Sequence, residues 1–215
     1  FSLNTAEFPI SDNIQQNKSS PDLIIDRDTN FCIIIFTSSF LVNNSTIKNG
    51  IYAKILQNDL SIFKEEFMIN ENLDKNKSNP KICEIGKNLF LILWESNGQE
   101  NLNFVSIFGR VIDSQGNFLT KEFLVESKND SQFSPTCGKI WDGKFVVAYT
   151  FDKKIYAKIF EYKITFTIID NVNNLSFSYF VFKENFLVSD SYSPPYSPPS
   201  PGVTVTVTVE YKNPV

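Results

Sequence analysis

Tyr52-Ala53-Lys54-Ile55-Leu56, Phe108-Gly109-Arg110-Val111-Ile112 and Tyr156-Ala157-Lys158-Ile159-Phe160 are three versions of one strand, each aromatic, small, basic, apolar, apolar. Three further registers agree around them. Glu7-Phe8-Pro9-Ile10, Glu66-Phe67-Met68-Ile69 and Glu122-Phe123-Leu124-Val125 recur at separations of 59 and 56 residues. Each is followed by a proline that introduces an apolar segment, in Ser20-Pro21-Asp22-Leu23-Ile24, Asn79-Pro80-Lys81-Ile82-Cys83 and Ser134-Pro135-Thr136-Cys137-Gly138. Then come the most apolar runs, Phe31-Cys32-Ile33-Ile34-Ile35-Phe36, Leu89-Phe90-Leu91-Ile92-Leu93-Trp94 and Lys144-Phe145-Val146-Val147-Ala148-Tyr149. Four registers shared by three copies define an internal repeat.

Each copy holds four short segments of β-branched and aromatic residues, separated by turns such as Asn97-Gly98, Asp113-Ser114-Gln115-Gly116 and Asp142-Gly143. No stretch carries a sustained 3.6-residue period. The reading is an all-β chain of three blade-like, four-stranded antiparallel repeats, propeller-like or sandwiched, over residues 7–65, 66–121 and 122–162. The pattern resembles repeats of long extracellular bacterial and protist surface proteins, which share the Glu-Phe-X-Val, Pro-X-Val, Phe-Val-Val-X-Trp and Ile-X-Ala-Lys-Ile-Phe segments. That resemblance covers Glu7 to about Phe160 and implies architecture more than activity. Closed propellers hold about four to eight blades, so three leave a difficulty. Either the chain belongs to a longer array, or its sheets form an open or sandwiched body, or neighbouring subunits complete it.

Beyond Lys163 the pattern changes. Ile164–Ile168, Leu175–Phe182 and Phe186–Val188 read as strands of an incomplete C-terminal sheet spanning 163–190. A proline-serine arm, 191–202, then leads to the alternating segment Val203-Thr-Val-Thr-Val-Thr-Val209. Consecutive prolines favour polyproline II, so Ser193 to Pro201 spans about 28 Å at about 3.1 Å per residue. Val203, Val205, Val207 and Val209 share one face of a strand, and the stiff arm argues against an immediate return. The expectation is donation of this strand, 203–215, to a neighbouring copy. The Ser-Pro-Pro motifs resemble extensin-like wall glycoproteins. That resemblance implies hydroxylation or O-glycosylation at Ser193, Pro194, Pro195, Ser197, Pro198, Pro199 and Pro201.

A net charge of -4, without a long basic run, argues against nucleic acid as a partner. No apolar run approaches the length of a membrane-spanning helix. The chain begins at Phe1 with Met68 as its one methionine, which reads as a processed chain or a fragment. N-glycosylation sequons occur at Asn17, Asn43, Asn44, Asn76, Asn129 and Asn174, all in polar stretches between apolar runs. They point to secretion, with covalent glycans and an extracellular location. Cys32, Cys83 and Cys137 are too few for a disulfide scaffold and lack zinc-site spacing. By alignment Cys32 and Cys137 fall at apolar registers and read as small buried hydrophobes, with a Cys32–Cys137 bridge as the alternative.

The chain has no histidine, which removes the usual general base and the commonest metal ligand. Asp26, Asp28, Glu95 and Asp152 are nominal candidates for paired-carboxylate chemistry, but read better as turn residues. Asp26-Arg27-Asp28 lacks the calcium-loop pattern. Trp94, Trp141 and the many phenylalanines read as core before sugar-stacking platform. The expectation is therefore no catalytic residue, no metal and no cofactor. The chain reads as a structural subunit of a secreted, glycosylated filament or coat made of copies of itself. The alternative is a carbohydrate-binding propeller module of a larger adhesin.

Overall fold

A computed structural model describes residues 7–10, 16–42, 46–99, 104–126, 128–141, 143–170, 175–181 and 203–211, with 40–46 and those beyond 162 described by backbone alone. All of its elements are strands: β1 Lys18–Ile25, β2 Cys32–Val42, β3 Thr46–Leu56, β4 Ile62–Met68, β5 Lys77–Gly86, β6 Leu89–Asn97, β7 Val105–Asp113, β8 Phe123–Leu124, β9 Gln132–Trp141, β10 Lys144–Phe151, β11 Lys154–Asp170, β12 Leu175–Val181 and β13 Val203–Tyr211. The fold is all-β, and among the described residues no helix is long and apolar enough to cross a membrane.

Three antiparallel up-and-down sheets follow one another along the chain. Sheet I is β1-β2-β3-β4, sheet II is β5-β6-β7-β8, and sheet III is β9-β10-β11-β12 with β13 also paired to β11. The repeat is real, but its phase differs from the sequence reading. The Glu-Phe segments do not open their own units. Glu66–Met68 lies in β4, the last strand of sheet I, and Phe123–Leu124 is β8, the last strand of sheet II. Periodicity in a sequence establishes spacing, while hydrogen bonding decides which strand belongs to which sheet.

The C-terminal reading is corrected in two ways. Ile164–Ile168 is no separate strand, because β11 runs unbroken from Lys154 to Asp170. Donation of Val203, Val205, Val207 and Val209 to another chain is also replaced, since β13 pairs with β11 of the same chain, Val205 opposite Phe166 and Val207 opposite Ile164. The cause is the length of β11. It outruns β10, whose pairing ends at Glu161, so the extension offers two free edges. One edge takes β12 from Ile164 to Asp170, and the other takes β13 from Phe160 to Ile168. The stiff arm does not forbid this return. Val181 lies opposite Ile164 and Val203 opposite Ile168, ends two strand spacings apart across β11 and offset by Ile164 to Ile168 along it, or about 16 Å, which the arm can span. Phe186–Val188 and the proline-serine arm lie outside the described residues.

Sheets stack face on face in chain order. The side of sheet I carrying Ile33, Ile35, Ile51, Ala53 and Ile55 packs on the side of sheet II carrying Phe90, Ile92, Trp94, Phe108 and Ile112. Sheet II repeats this one step on: Leu91, Leu93, Ile107 and Val111 pack on Phe145, Val147, Tyr149, Tyr156 and Phe160 of sheet III. Every sheet thus has a leading face toward its predecessor and a trailing face toward its successor. Sheet II is covered on both sides, so every residue of β6 from Leu89 to Ser96 is buried. That explains its continuous apolar run. β10, with one covered face, alternates between buried and half-buried.

Candidate functional site

The first strands of the three sheets, β1, β5 and β9, are sheet edges that converge on a common axis. Each edge carries the repeated Xaa-Pro pair. Ser20, Asn79 and Ser134, the residues before the prolines, adopt left-handed backbone with φ of 52°, 50° and 53°. Each also sits in a break of register: between Ser19 and Asp22 in β1, between Ser78 and Lys81 in β5, and opposite Ala148–Thr150 in β9. A bulge bends an edge and a proline withholds its N–H, the two usual ways to stop edges from pairing. Three edges can therefore meet without fusing into one sheet. Between them lies a cleft of about 420 Å³ walled by Ser20-Pro21, Asn79-Pro80 and Ser134-Pro135, with Lys81 and Thr136.

Carboxylates tie neighbouring edges together at this axis. Glu95, 6 % exposed, accepts hydrogen bonds through Oε2 from Asn79 Nδ2 (2.9 Å) and Ser78 Oγ (3.3 Å), and through Oε1 from the Ser134 N–H (2.8 Å). One side chain so fastens the bulges of sheets II and III. Asp22 Oδ2 accepts the Ile82 N–H at 3.1 Å and faces Lys81 Nζ at 3.9 Å, joining sheet I to sheet II. A covalent tie lies beside them: Cys83 of β5 and Cys137 of β9 form a disulfide, with Cα atoms 5.9 Å apart. This corrects both cysteine expectations. Cys137 is bridged, its partner is Cys83, and Cys32 is the free thiol, its pKa raised by burial. Alignment hid the pair because Cys83 points from a trailing face and Cys137 from the leading face that covers it.

The repeated basic residue, whose role the sequence reading missed, staples sheets at their outer ends. Arg110 Nη1 donates to the Ile69 carbonyl at 2.7 Å, and Lys158 Nζ to the equivalent Val125 carbonyl at 3.1 Å. Arg110 also pairs with Glu71 at 2.7 Å and lies over the Phe118 ring. Burial lowers its pKa, against the raising influence of Glu71 and Glu122. Lys77, fully buried at the start of β5, donates to the Lys75 carbonyl at 2.8 Å, and burial pulls its pKa to about 8.

The remaining sequence candidates scatter. Asp26 accepts from the Asp28 N–H and from Thr29 Oγ1, closing a local turn, while Asp28 faces Lys87 at 3.9 Å. Asp152 occupies a left-handed turn at φ 46°. These acids and Glu95 are not brought together, and among the described residues no cluster of three metal-ligating side chains occurs. Trp94 is fully buried, with no hydrogen-bond partner for Nε1 among the described residues. Trp141, in contrast, is 58 % exposed beneath Lys144. Asn17, Asn76 and Asn129 are all exposed, close before the first strands, so glycans there would project from the rim next to the axial cleft. Asn43, Asn44 and Asn174 lie outside the described residues.

The outermost faces differ from the internal ones. On the trailing face of sheet III, Ile155 is 75 % exposed and Ile159 40 %, although their equivalents Ile51, Ile55, Ile107 and Val111 are fully buried. Phe133 and Trp141 extend this face, and a Cβ added to Gly138 would meet nothing. At the other end, Leu23 and Ile25 on the leading face of sheet I are each 57 % exposed, whereas Ile82, the equivalent of Leu23, is buried. Comparison with known proteins found no matching family model, no matching curated protein and no matching solved structure.

Proposed function

We propose that the chain is a structural subunit of a secreted, glycosylated extracellular assembly, a filament or surface coat, built from copies of itself. One observation carries this reading: the stack of sheets ends in exposed apolar residues, Ile155 and Ile159 at one end and Leu23 and Ile25 at the other, whereas the interior equivalents Ile51, Ile55, Ile107, Val111 and Ile82 are buried. Exposed apolar patches of this kind mark interaction surfaces. The Cys83–Cys137 bridge supports an oxidising compartment, and the exposed asparagines of three sequons are accessible to glycosylation. The mode of association is revised, because β13 is already paired within its own chain. Expression through a eukaryotic secretory route, intact mass measurement and electron microscopy test the proposal. Glycan mass on Asn17, Asn76 or Asn129 together with particles larger than one chain is the expected result, and unmodified monomers would refute it.

A second reading, a carbohydrate-binding module, is favoured by the axial cleft, where Lys81, Ser134 and Thr136 offer polar groups beside the rigid prolines. Saturable binding on a glycan array, lost in Lys81→Met, is its expected signature.

A further inference from the structure

We infer that the two open faces are halves of one interface, and that a second copy of this chain closes the three sheets into a ring of six. The inference rests on the self-assembly reading above and assigns both end faces to a closed two-chain unit, so that a filament or coat would join such units through other surfaces. Within the chain the same contact is made twice, and both times it has three parts. A trailing face meets a leading face, as in Ile51 and Ile55 against Ile92 and Phe108. The short segment after the outer strand, Ile69 or Val125, inserts into that contact and donates its N–H to the Ile51 or Ile107 carbonyl. The Glu-Phe segment just before it supplies the outer strand of the preceding sheet, Phe67 opposite Ala53 and Phe123 opposite Gly109.

Sheet I already carries the receiving half of a third such contact. Ile10, the equivalent of Ile69 and Val125, packs on Ile34, Phe36 and Leu56, which are buried, so this leading face is open at its Leu23 and Ile25 edge. The Glu7-Phe8-Pro9 that precedes it has no sheet of its own, and Phe8 is 50 % exposed. Sheet III carries the donating half. Its trailing face is open at Ile155 and Ile159, and β13 pairs with β11 only from Phe160 onward. Among the described residues, the edge of β11 at Tyr156 and Ala157, where β4 and β8 sit in the other sheets, therefore has no strand partner. The chain has an outer strand without a sheet at one end and a sheet without its outer strand at the other. In a second copy, Phe8 falls opposite Ala157, and Leu23 and Ile25 descend on the face of Ile155 and Ile159. Such a head-to-tail contact either closes or propagates. Sheets already gathered around one axis close, and twice three sheets falls within the about four to eight of closed propellers.

The test joins native mass with cross-linking of the full chain. A species of about 49 kDa, twice the 24.6 kDa chain, is expected apart from glycan mass. Ile155→Asp and Leu23→Asp change residues that are mostly exposed in the single chain, so the fold is retained by circular dichroism. Each should raise the dissociation constant about a hundredfold by burying an unpaired charge. With cysteines replacing both Phe8 and Ala157, oxidation should trap two copies and no more on a non-reducing gel. Persistence of the association in Leu23→Asp would overturn the contact while leaving the structural-subunit reading intact. A cross-linked ladder beyond two copies would overturn ring closure. A wild-type monomer at all concentrations would remove both.

Discussion

Reduction of the Cys83–Cys137 bridge tests the stacking of sheets II and III with a magnitude that the structure supplies. The bond joins β5 to β9 across 54 residues of sequence. A loop of that length restrains the unfolded chain by about 4 kcal/mol at 25 °C in the chain-entropy treatment. The native stack should survive the loss, because Glu95 and the Leu91, Val111, Phe145 and Phe160 packing still hold the same two sheets. The assay is urea unfolding followed by circular dichroism and by the fluorescence of buried Trp94, on oxidised and fully reduced protein of one sequence. The midpoint should fall and the slope should rise, because the reduced unfolded chain is less compact. At about 2–4 °C per kcal/mol for a chain of this size, the melting temperature should drop by roughly 8–16 °C. Peptide mapping must find Cys32 unpaired. A confirmed reduction that moves stability by less than about 1 kcal/mol, against the expected effect, or a bridge mapped to Cys32, would refute the inter-sheet tie.

Other expectations follow from the same ties. Glu95→Gln turns one acceptor oxygen into a donor facing Asn79 Nδ2 and Ser78 Oγ or the Ser134 N–H, so a loss of about 2–4 kcal/mol should appear in urea unfolding. For Lys77, the folded-state pKa of about 8 lies below the ordinary 10.5, so between these values the unfolded chain binds more protons. Its penalty on stability is full below pH 8 and relieved as pH rises toward 10.5; the melting temperature of the wild type should rise over this window relative to Lys77→Met, and parallel pH profiles would contradict the assignment. Gly86→Ala would place a Cβ 2.0 Å from Tyr162 Oη, costing about 1–3 kcal/mol, and Tyr162→Phe in the same chain should recover part of it in a double-mutant cycle.

Much of the fold was legible because a four-stranded repeat leaves a signature at each register. The Xaa-Pro pairs read as strand openings and are the bulged edges of β1, β5 and β9. The apolar runs read as core strands and are β2, β6 and β10. The axial cleft was not legible, because it needs left-handed backbone at Ser20, Asn79 and Ser134, and nothing local in Ser-Pro or Asn-Pro announces it. Glu95 illustrates the same limit. It sits at the end of its strand like any exposed turn acid, and only a third edge, 39 residues on at Ser134, makes it a buried clamp.

The sequence by itself determined the period, the strand chemistry and the polar character of the connections, since these follow from side-chain pattern within a few residues. The tertiary structure alone decided the phase of the repeat, the Cys83–Cys137 pairing, the in-chain partner of β13 and the identity of the uncovered faces. The physical reason is that a strand's alternation specifies that it will pair and bury one side, whereas its partner is set by which free edge lies within reach. For Val203–Val209 that edge is the side of β11 away from β10, and it is long enough because β11 runs past Glu161 to Asp170.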